Sequence, residues 1–245
     1  MKIIASDYDG TLNYGGIDDK KRDAIKRWRK AGNLFGLVSG RGSSNLMEIL
    51  KCDNFECDFL VGCNGALIID LDGKVLAESR CNGSLARPLL EFIFSMGCTC
   101  AKVHTSFYCS VTNGDDGLSD DDFTLETLPE IEYFNQINTF LPDESQAEKV
   151  TAAIKAKFGE YLNPLQNGTC IDIVAADMNK AKGLYSLLKL IGASYDDIIT
   201  VGDNINDTHM IAEFRSYAMS NAVKSIKELA DYEIKGITEL IEKEL

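Results

Sequence analysis

Twice in this chain a short apolar run without polar alternation stops at carboxylates. Ile3-Ile4-Ala5-Ser6 runs into Asp7-Tyr8-Asp9-Gly10-Thr11, and Ile198-Ile199-Thr200-Val201 runs into Gly202-Asp203-Asn204-Ile205-Asn206-Asp207. Strands of that kind are buried on both faces, which is the condition of a parallel sheet covered by helices. The segments between keep the rhythm. A helix is expected over 18–31, with Ala24, Ile25, Trp28 and Ala31 at helical spacing and Gly32 to end it. Leu34-Phe35-Gly36-Leu37-Val38 and Phe59-Leu60-Val61-Gly62 read as two more buried strands, with a helix capped by Ser43 or Ser44 between them. Near the other end, Leu184, Leu187, Leu188 and Ile191 mark a helix closed by Gly192. Further helices carry Met210, Ile211 and Phe214, then Val223, Ile226 and Leu229, then Ile237, Leu240 and Ile241. A short strand is expected near 217–219. The fold class is therefore α/β, and its chemistry should collect at the carboxyl ends of the strands.

The middle of the chain differs. A helix over 85–95 leads to mixed polar and apolar stretches around 101–112 and 132–140, which read as antiparallel strands. A helix over 144–158 and a strand over 169–174 follow. The expected organisation is a core of residues 1–81 and 177–245, interrupted by an α+β insert of residues 82–176.

Composition narrows the partners. Among 245 residues, 25 Lys plus Arg stand against 38 Asp plus Glu, for a net charge of −13. A surface of that sign repels nucleic-acid backbones and anionic lipid. No apolar run approaches the roughly 18 residues of a spanning helix, and the first residues lack a signal-peptide core, so a cytoplasmic location is expected. The eight cysteines form no C-x-x-C pair and fit reduced, mostly buried thiols.

The two acidic turns carry the first chemical signal. Asp7 and Asp9, at i and i+2 after a buried strand, project to one side, and their desolvation calls for a metal ion or a shared proton. An Asp-rich turn with local caps is the alternative for that segment alone. Asp203 ends another buried strand, while Asn206 and Asp207 fall at a helix start. If the two strands are neighbours, Asp7, Asp9 and Asp203 converge, and three hard oxygen donors suit Mg²⁺ better than zinc. Ser39-Gly40-Arg41 offers a hydroxyl and a glycine N–H between strand and helix, a phosphate cradle or an ordinary turn. In Asn179-Lys180-Ala181-Lys182-Gly183 a lysine opens a helix against the macrodipole preference, which a carboxylate and phosphate cluster would explain. Lys182 reads as a solvated lysine.

In this order and spacing the four segments, together with Cys63-Asn64-Gly65-Ala66-Leu67-Ile68, resemble the haloacid dehalogenase (HAD) phosphohydrolase superfamily, and within it the Cof-type sugar-phosphatase-like branch. The resemblance covers most of the core; the insert is similar only in length and rough composition. Ser39 stands where many members have Thr, and both supply a hydroxyl. Gly183, three residues after Lys180, assigns the lysine motif to Lys180.

The resemblance implies a Rossmann-like parallel-sheet core with a C2B-type cap inserted after the third strand. It implies an Mg²⁺-dependent phosphatase of small phosphorylated metabolites, sugar phosphates foremost, working through an aspartyl-phosphate. Asp7 would be the nucleophile and Asp9 the acid and base. The Asp7 carboxylate, the Asp9 carbonyl and Asp203 would hold the metal. Asp207 and Asn206 would position these groups. Ser39, Gly40 and Lys180 would hold the phosphoryl oxygens. Arg41, Asn64 and Gly65 lie where substrate or cap contacts are expected. A phosphosugar mutase using the same two aspartates, or a non-catalytic phospho-ligand binder, are the competing readings. The sequence leaves the oligomeric state open.

Other signals carry less. No P-loop or dinucleotide fingerprint occurs. The acidic stretch Asp115-Asp116-Gly117-Leu118-Ser119-Asp120-Asp121-Asp122 fails as an EF-hand, because Gly117 takes the third ligand position and Asp120 the glycine position. It reads as a solvated loop. His209 is read as structural, His104 as a surface or satisfied residue of the insert with a substrate-facing role as the alternative, and Trp28 as core.

Overall fold

Strand β1 (Ile3–Ser6) is buried at every residue and lies between two parallel partners, β2 (Leu34–Val38) and β14 (Ile198–Gly202). This is seen in a computed structural model that describes residues 1–105, 108–113 and 122–245. With strands numbered along the chain, β3 (Phe59–Gly62) continues the parallel run beyond β2, and β4 (Leu67–Ile69) turns back antiparallel to it. On the other side β15 (Arg215–Met219) and β16 (Tyr232–Ile234) extend it in parallel, while β5 (Val75–Glu78) closes the far edge. Among the described residues the order is β16-β15-β14-β1-β2-β3-β4-β5. The strands β4, β5 and β16 were not expected from the sequence. Each has only three or four residues; β4 is buried throughout but is only three residues long, whereas Val75 and Leu76 of β5 and Tyr232 of β16 are exposed, so the buried-strand pattern is missing in those two.

Helix α1 (Asp19–Lys30) shows why the helices form where they do. The Asp18 carboxylate accepts from Lys21 N at 2.9 Å, Ala24, Ile25 and Trp28 are buried, and basic residues occupy the last turn. Burying the indole leaves no orphan donor, since Trp28 Nε1 donates to Leu34 O at 2.7 Å. Helix α2 (Ser43–Asp53) corrects one expectation: Gly42 occupies the N-cap position, and no side chain caps the helix. Beyond the insert come α5 (Lys180–Ile191), α6 (Thr208–Glu213), α7 (Lys224–Leu229) and α8 (Ile237–Glu244). Phe214 lies just past the end of α6, and His209 lies within it. Helix α8 is tied to β1 and β15 through a buried acid. Glu244 accepts from Lys2 Nζ at 3.1 Å and from Arg215 Nη2 and Tyr217 Oη at 2.5 Å each.

The chain divides into two compact units, residues Met1–Ala77 with Asn179–Leu245, and residues Glu78–Met178. The division falls a few residues outside the limits 82 and 176 drawn from the sequence. Cys81 sits in the second unit's apolar core, and β6 (Cys81–Asn82) pairs antiparallel with β10 (Tyr133–Phe134). At the other end, Asn163 Nδ2 donates to Met178 O at 3.0 Å.

In the second unit a sheet of β7 (Cys100–His104), β8 (Tyr108–Thr112), β9 (Asp122–Thr124), β11 (Gln136–Phe140), β12 (Leu162–Asn167) and β13 (Cys170–Ala175) has the order β12-β13-β11-β7-β8-β9. Its pairings are antiparallel except β8 with β9. Leu89, Leu90 and Ile93 of α3 (Ala86–Ser95), and Val150 and Ile154 of α4 (Glu144–Phe158), share one apolar cluster with Val103, Ile137, Ile171 and Ile173. The alternate residues form a polar network, in which His104 Nε2 meets Asn138 Oδ1 at 3.2 Å and Gln136 Nε2 donates to Asp172 Oδ1 at 3.3 Å. Strand β12 was not expected from the sequence; it carries Pro164 at the edge of the sheet, where a missing N–H is tolerated.

All eight cysteines are free thiols, five of them buried. No helix among the described residues is long and apolar enough to cross a membrane. Asp115, Asp116, Asp120 and Asp121 of the acidic stretch lie outside the described residues.

Candidate active site

Because β1 and β14 are neighbours, the residues that follow them emerge together. Asp7 N donates to Val201 O at 3.0 Å, continuing the ladder by one residue. The chain then folds into a tight helical turn, Tyr8–Leu12, closed by Leu12 N to Asp7 O at 3.2 Å and Asn13 N to Tyr8 O at 2.9 Å. Gly10 holds this turn with φ +80°, and a Cβ there would overlap the Asp203 carboxylate. Only glycine meets both demands. Thr11 Oγ1 donates to Asp203 Oδ1 at 2.6 Å.

Asp7, Asp203 and Asp207 each bring a carboxylate oxygen within 4.8 Å of the others. Lys180, fully buried, donates its Nζ to Asp7 Oδ1 at 2.7 Å and to Asp207 Oδ1 at 2.5 Å. The second oxygen of Asp207 accepts from Asp203 N at 2.9 Å and Asn204 N at 3.1 Å. Asp207 is thus bonded at both oxygens and acts as a buttress for Lys180 and the Asp203 turn. The lysine that opens α5 against the dipole preference is accounted for by these two carboxylates. Its helix still has a normal cap, since Asn179 Oδ1 accepts from Lys182 N at 3.0 Å.

Electrostatics leave this cluster short of positive charge. Burial pushes the Asp7 carboxyl up, Lys180 opposes that, and Asp207 adds to it; the net shift is upward. Burial also pushes Asp203 up, to about 6, against the Thr11 hydroxyl bond. Burial alone would lower the Lys180 pKa, but Asp207 and Asp7 more than offset it, so the ammonium is held charged. Three carboxylates therefore face one ammonium. An all-oxygen donor set with that deficit fits a hard divalent cation.

The other expected residues divide into two groups. Ser39 and Gly40 lie at the end of β2, where Ser39 N donates to Val61 O at 2.9 Å and Ser39 O accepts from Asn64 N at 3.0 Å. Asn64 and Gly65, both at positive φ, form the turn after β3 that braces this segment. Asn206 is buried in the turn Ile205–Asp207. Asp9 and Arg41 pair with each other beside the carboxylate cluster, where the Asp9 charge acts on Asp203 and the Asp7 charge on Arg41. Asp9 is half exposed, and both its oxygens accept from the Arg41 guanidinium at 2.7 Å. Lys182 is exposed, as expected.

Three contributors carried no assigned role in the sequence. Thr11 was within the recognised D-x-D-G-T segment, so its hydroxyl was findable. Gly183 packs against Gly65, where an added Cβ would overlap the Gly65 Cα. Asn221 Nδ2 donates to Gly10 O at 2.9 Å, and nothing in its surroundings in the sequence marks it.

Residues 4–239 match the family described as haloacid dehalogenase-like hydrolase. The chain is 28% identical over 235 residues to the 5-amino-6-(5-phospho-D-ribitylamino)uracil phosphatase YcsE of Bacillus subtilis, covering 95% of this chain and 89% of that one. It is similar in fold to a haloacid dehalogenase-like hydrolase of B. subtilis, with a TM-score of 0.84, 18% identity and full coverage of both chains. A HAD subclass IIB sugar phosphatase, BT4131, has a TM-score of 0.80 at 20% identity, over 99% of this chain and 98% of that chain.

Proposed function

The chain belongs to the haloacid dehalogenase-like hydrolases, and we propose that it is an Mg²⁺-dependent phosphatase of small phosphorylated metabolites, sugar phosphates foremost. The observation that carries the reading is the buried Asp7–Lys180–Asp207 chain with Asp203 beside it, at the carboxyl ends of β1 and β14. A binding protein for phosphate has no use for a buried carboxylate in the place where the phosphate would go. A nucleophile belongs there.

In the first half of the reaction an Asp7 oxygen attacks phosphorus, the phosphorus–ester oxygen bond breaks, and Asp9 gives its proton to the departing alkoxide. In the second half Asp9 takes a proton from water, the water oxygen attacks phosphorus, and the bond to Asp7 breaks to release phosphate. Lys180 holds one Asp7 oxygen so that the other faces the substrate. Ser39 and Gly40 supply a hydroxyl and an N–H for the phosphoryl oxygens, where charge builds in the transition state. Asp7 and Asp203, with the Asp9 carbonyl, would hold the metal. Bound there, Mg²⁺ would supply the positive charge that allows a carboxylate and a phosphate to meet.

Support from relatives is of one kind: phosphatases of small molecules, one acting on a ribityl phosphate compound and one described as a sugar phosphatase. The test is phosphate release from a panel of phosphorylated metabolites. The wild type should turn over with Mg²⁺ and Asp7→Asn should not. Phosphate release retained by Asp7→Asn would remove Asp7 as nucleophile.

A further inference from the structure

The loop after β15 reaches across a strand. In the sheet β14 stands between β15 and β1, so the two lie about 10 Å apart. Yet Asn221, two residues past the end of β15, donates its Nδ2 to Gly10 O at 2.9 Å, in the turn that follows β1. We infer that Asn221 is a positioning residue of the site. By holding the Gly10 carbonyl it fixes the turn that presents the Asp9 carbonyl to the metal and the Thr11 hydroxyl to Asp203, a role that rests on the proposed metal set of Asp7, Asp203 and the Asp9 carbonyl.

Gly10 is the residue of that turn with the most freedom. At φ +80° and without a Cβ, it can rotate its flanking peptides more easily than any other residue type. The Asp203 carboxylate fills the space a Cβ would take, which limits where Gly10 sits but sets no direction for its carbonyl. The backbone bonds that close the turn, Leu12 N to Asp7 O and Asn13 N to Tyr8 O, do not use Gly10 O either. Asn221 supplies the direction. What it directs lies on both sides: Asp9 precedes Gly10, and Thr11 follows it with Oγ1 on Asp203 Oδ1 at 2.6 Å.

The arm is held at its root. Ala222 N donates to Met219 O at 2.9 Å and closes the turn that carries Asn221. Ser220 N donates to Ile234 O at 2.7 Å, and Ser220 O accepts from Lys227 Nζ. The same loop supports the second acidic turn, since Val223 N donates to Asp203 O at 2.9 Å. One loop thus holds the turn after β1 through a side chain and the turn after β14 through its backbone. The Asn221 bond lies at the surface, so it adds little to stability and mainly sets geometry.

The test follows the melting temperature of metal-stripped wild type and Asn221→Ala as Mg²⁺ is added. In the variant the half-saturating Mg²⁺ concentration should rise about 3-fold or more, while the metal-free melting temperature falls by no more than about 3 °C. A bond that only stabilised the loop would lower the metal-free value and leave the half-saturating concentration unchanged, which overturns the inference. Lys227→Ala loosens the same loop without removing the arm, and its half-saturating concentration should stay near that of the wild type. An equal rise in both variants also overturns the inference.

If the wild type binds Mg²⁺ but releases phosphate from no ester, the phosphatase reading fails and the Mg²⁺ comparison still decides. If the wild type shows no Mg²⁺-dependent shift, the metal set fails instead, and crystal structures of wild type and Asn221→Ala decide. A Gly10 carbonyl turned away in the variant, with Thr11 off Asp203, supports the positioning role. An unmoved turn overturns it.

Discussion

Gly183 and Gly65 meet with no side chain between them. A Cβ on Gly183 would overlap the Gly65 Cα, and one on Gly65 would overlap the carbonyl of Asn179, the residue that caps α5. Lys180 is the first residue of that helix. The two glycines therefore set how closely the helix approaches the turn after β3, and with it how far the Lys180 ammonium reaches toward Asp7.

Gly183→Ala should move α5 outward. Overpacking of this kind costs about 1–3 kcal/mol, and the displaced Lys180 should lower kcat by more than the stability loss explains. Urea unfolding and phosphate release at saturating substrate, measured on the same preparation, check this. Unchanged turnover would show that the close approach does not set the lysine.

Lys180→Met leaves Asp7 and Asp207 facing each other without their ammonium. Removing one partner of a buried ion pair costs about 3–5 kcal/mol, so the variant should unfold at markedly lower denaturant. The penalty should shrink on acidification, because burial holds the Asp7 carboxyl up at about 8 even beside the ammonium, and protonating it removes the repulsion. A deficit that stays constant between pH 9 and pH 7 would contradict the assignment.

Chelation should silence the enzyme, and added Mg²⁺ should restore it. The same ion should raise the melting temperature of the wild type, since a ligand that binds only the folded state stabilises it by mass action. Asp203→Asn should lose the Mg²⁺-dependent shift yet remain folded. An undiminished shift in that variant would exclude Asp203 from the metal site.

His104 should impose an acid limb on stability. Burial lowers its pKa to about 4, and Lys102 adds to the effect against the Asn138 bond, whereas an unfolded histidine titrates near 6.5. Between those values the unfolded chain binds a proton that the folded chain refuses. Stability is thus fully present above pH 6.5 and falls as the pH drops toward 4. His104→Gln should flatten that dependence, as read from urea midpoints at pH 7, 5.5 and 4.5. Identical slopes for variant and wild type would rule the histidine out.

The sequence discloses what burial makes regular. Strands β1, β2, β3 and β14 are apolar but for Ser6 and Thr200 because both faces are covered, and α1 and α4 carry their own caps, so all six are readable from the sequence. Asp7, Asp203 and Lys180 are readable because each breaks a local preference that only a shared site repairs. Edge elements follow other rules. β12 tolerates Pro164, and β16 is exposed over two of its three residues. The Asp9–Arg41 pair spans 32 residues, and neither partner's neighbours reveal the other. The limits of the insert were displaced for the same reason, since the pairing of Cys81 and Asn82 with Tyr133 and Phe134 is invisible until the strands are placed.

Strand order also bears on the sequence of events during synthesis. β1 is made before both its neighbours, but one of them, β14, leaves the ribosome only after the whole of residues 78–178, and the Glu244 clasp on Lys2 waits for α8. The inserted unit is continuous in sequence and can fold while the chain is still growing. Its completion precedes that of the sheet it interrupts. During that interval the exposed edge of β1, apolar on both faces, is the segment of the nascent chain most in need of shielding.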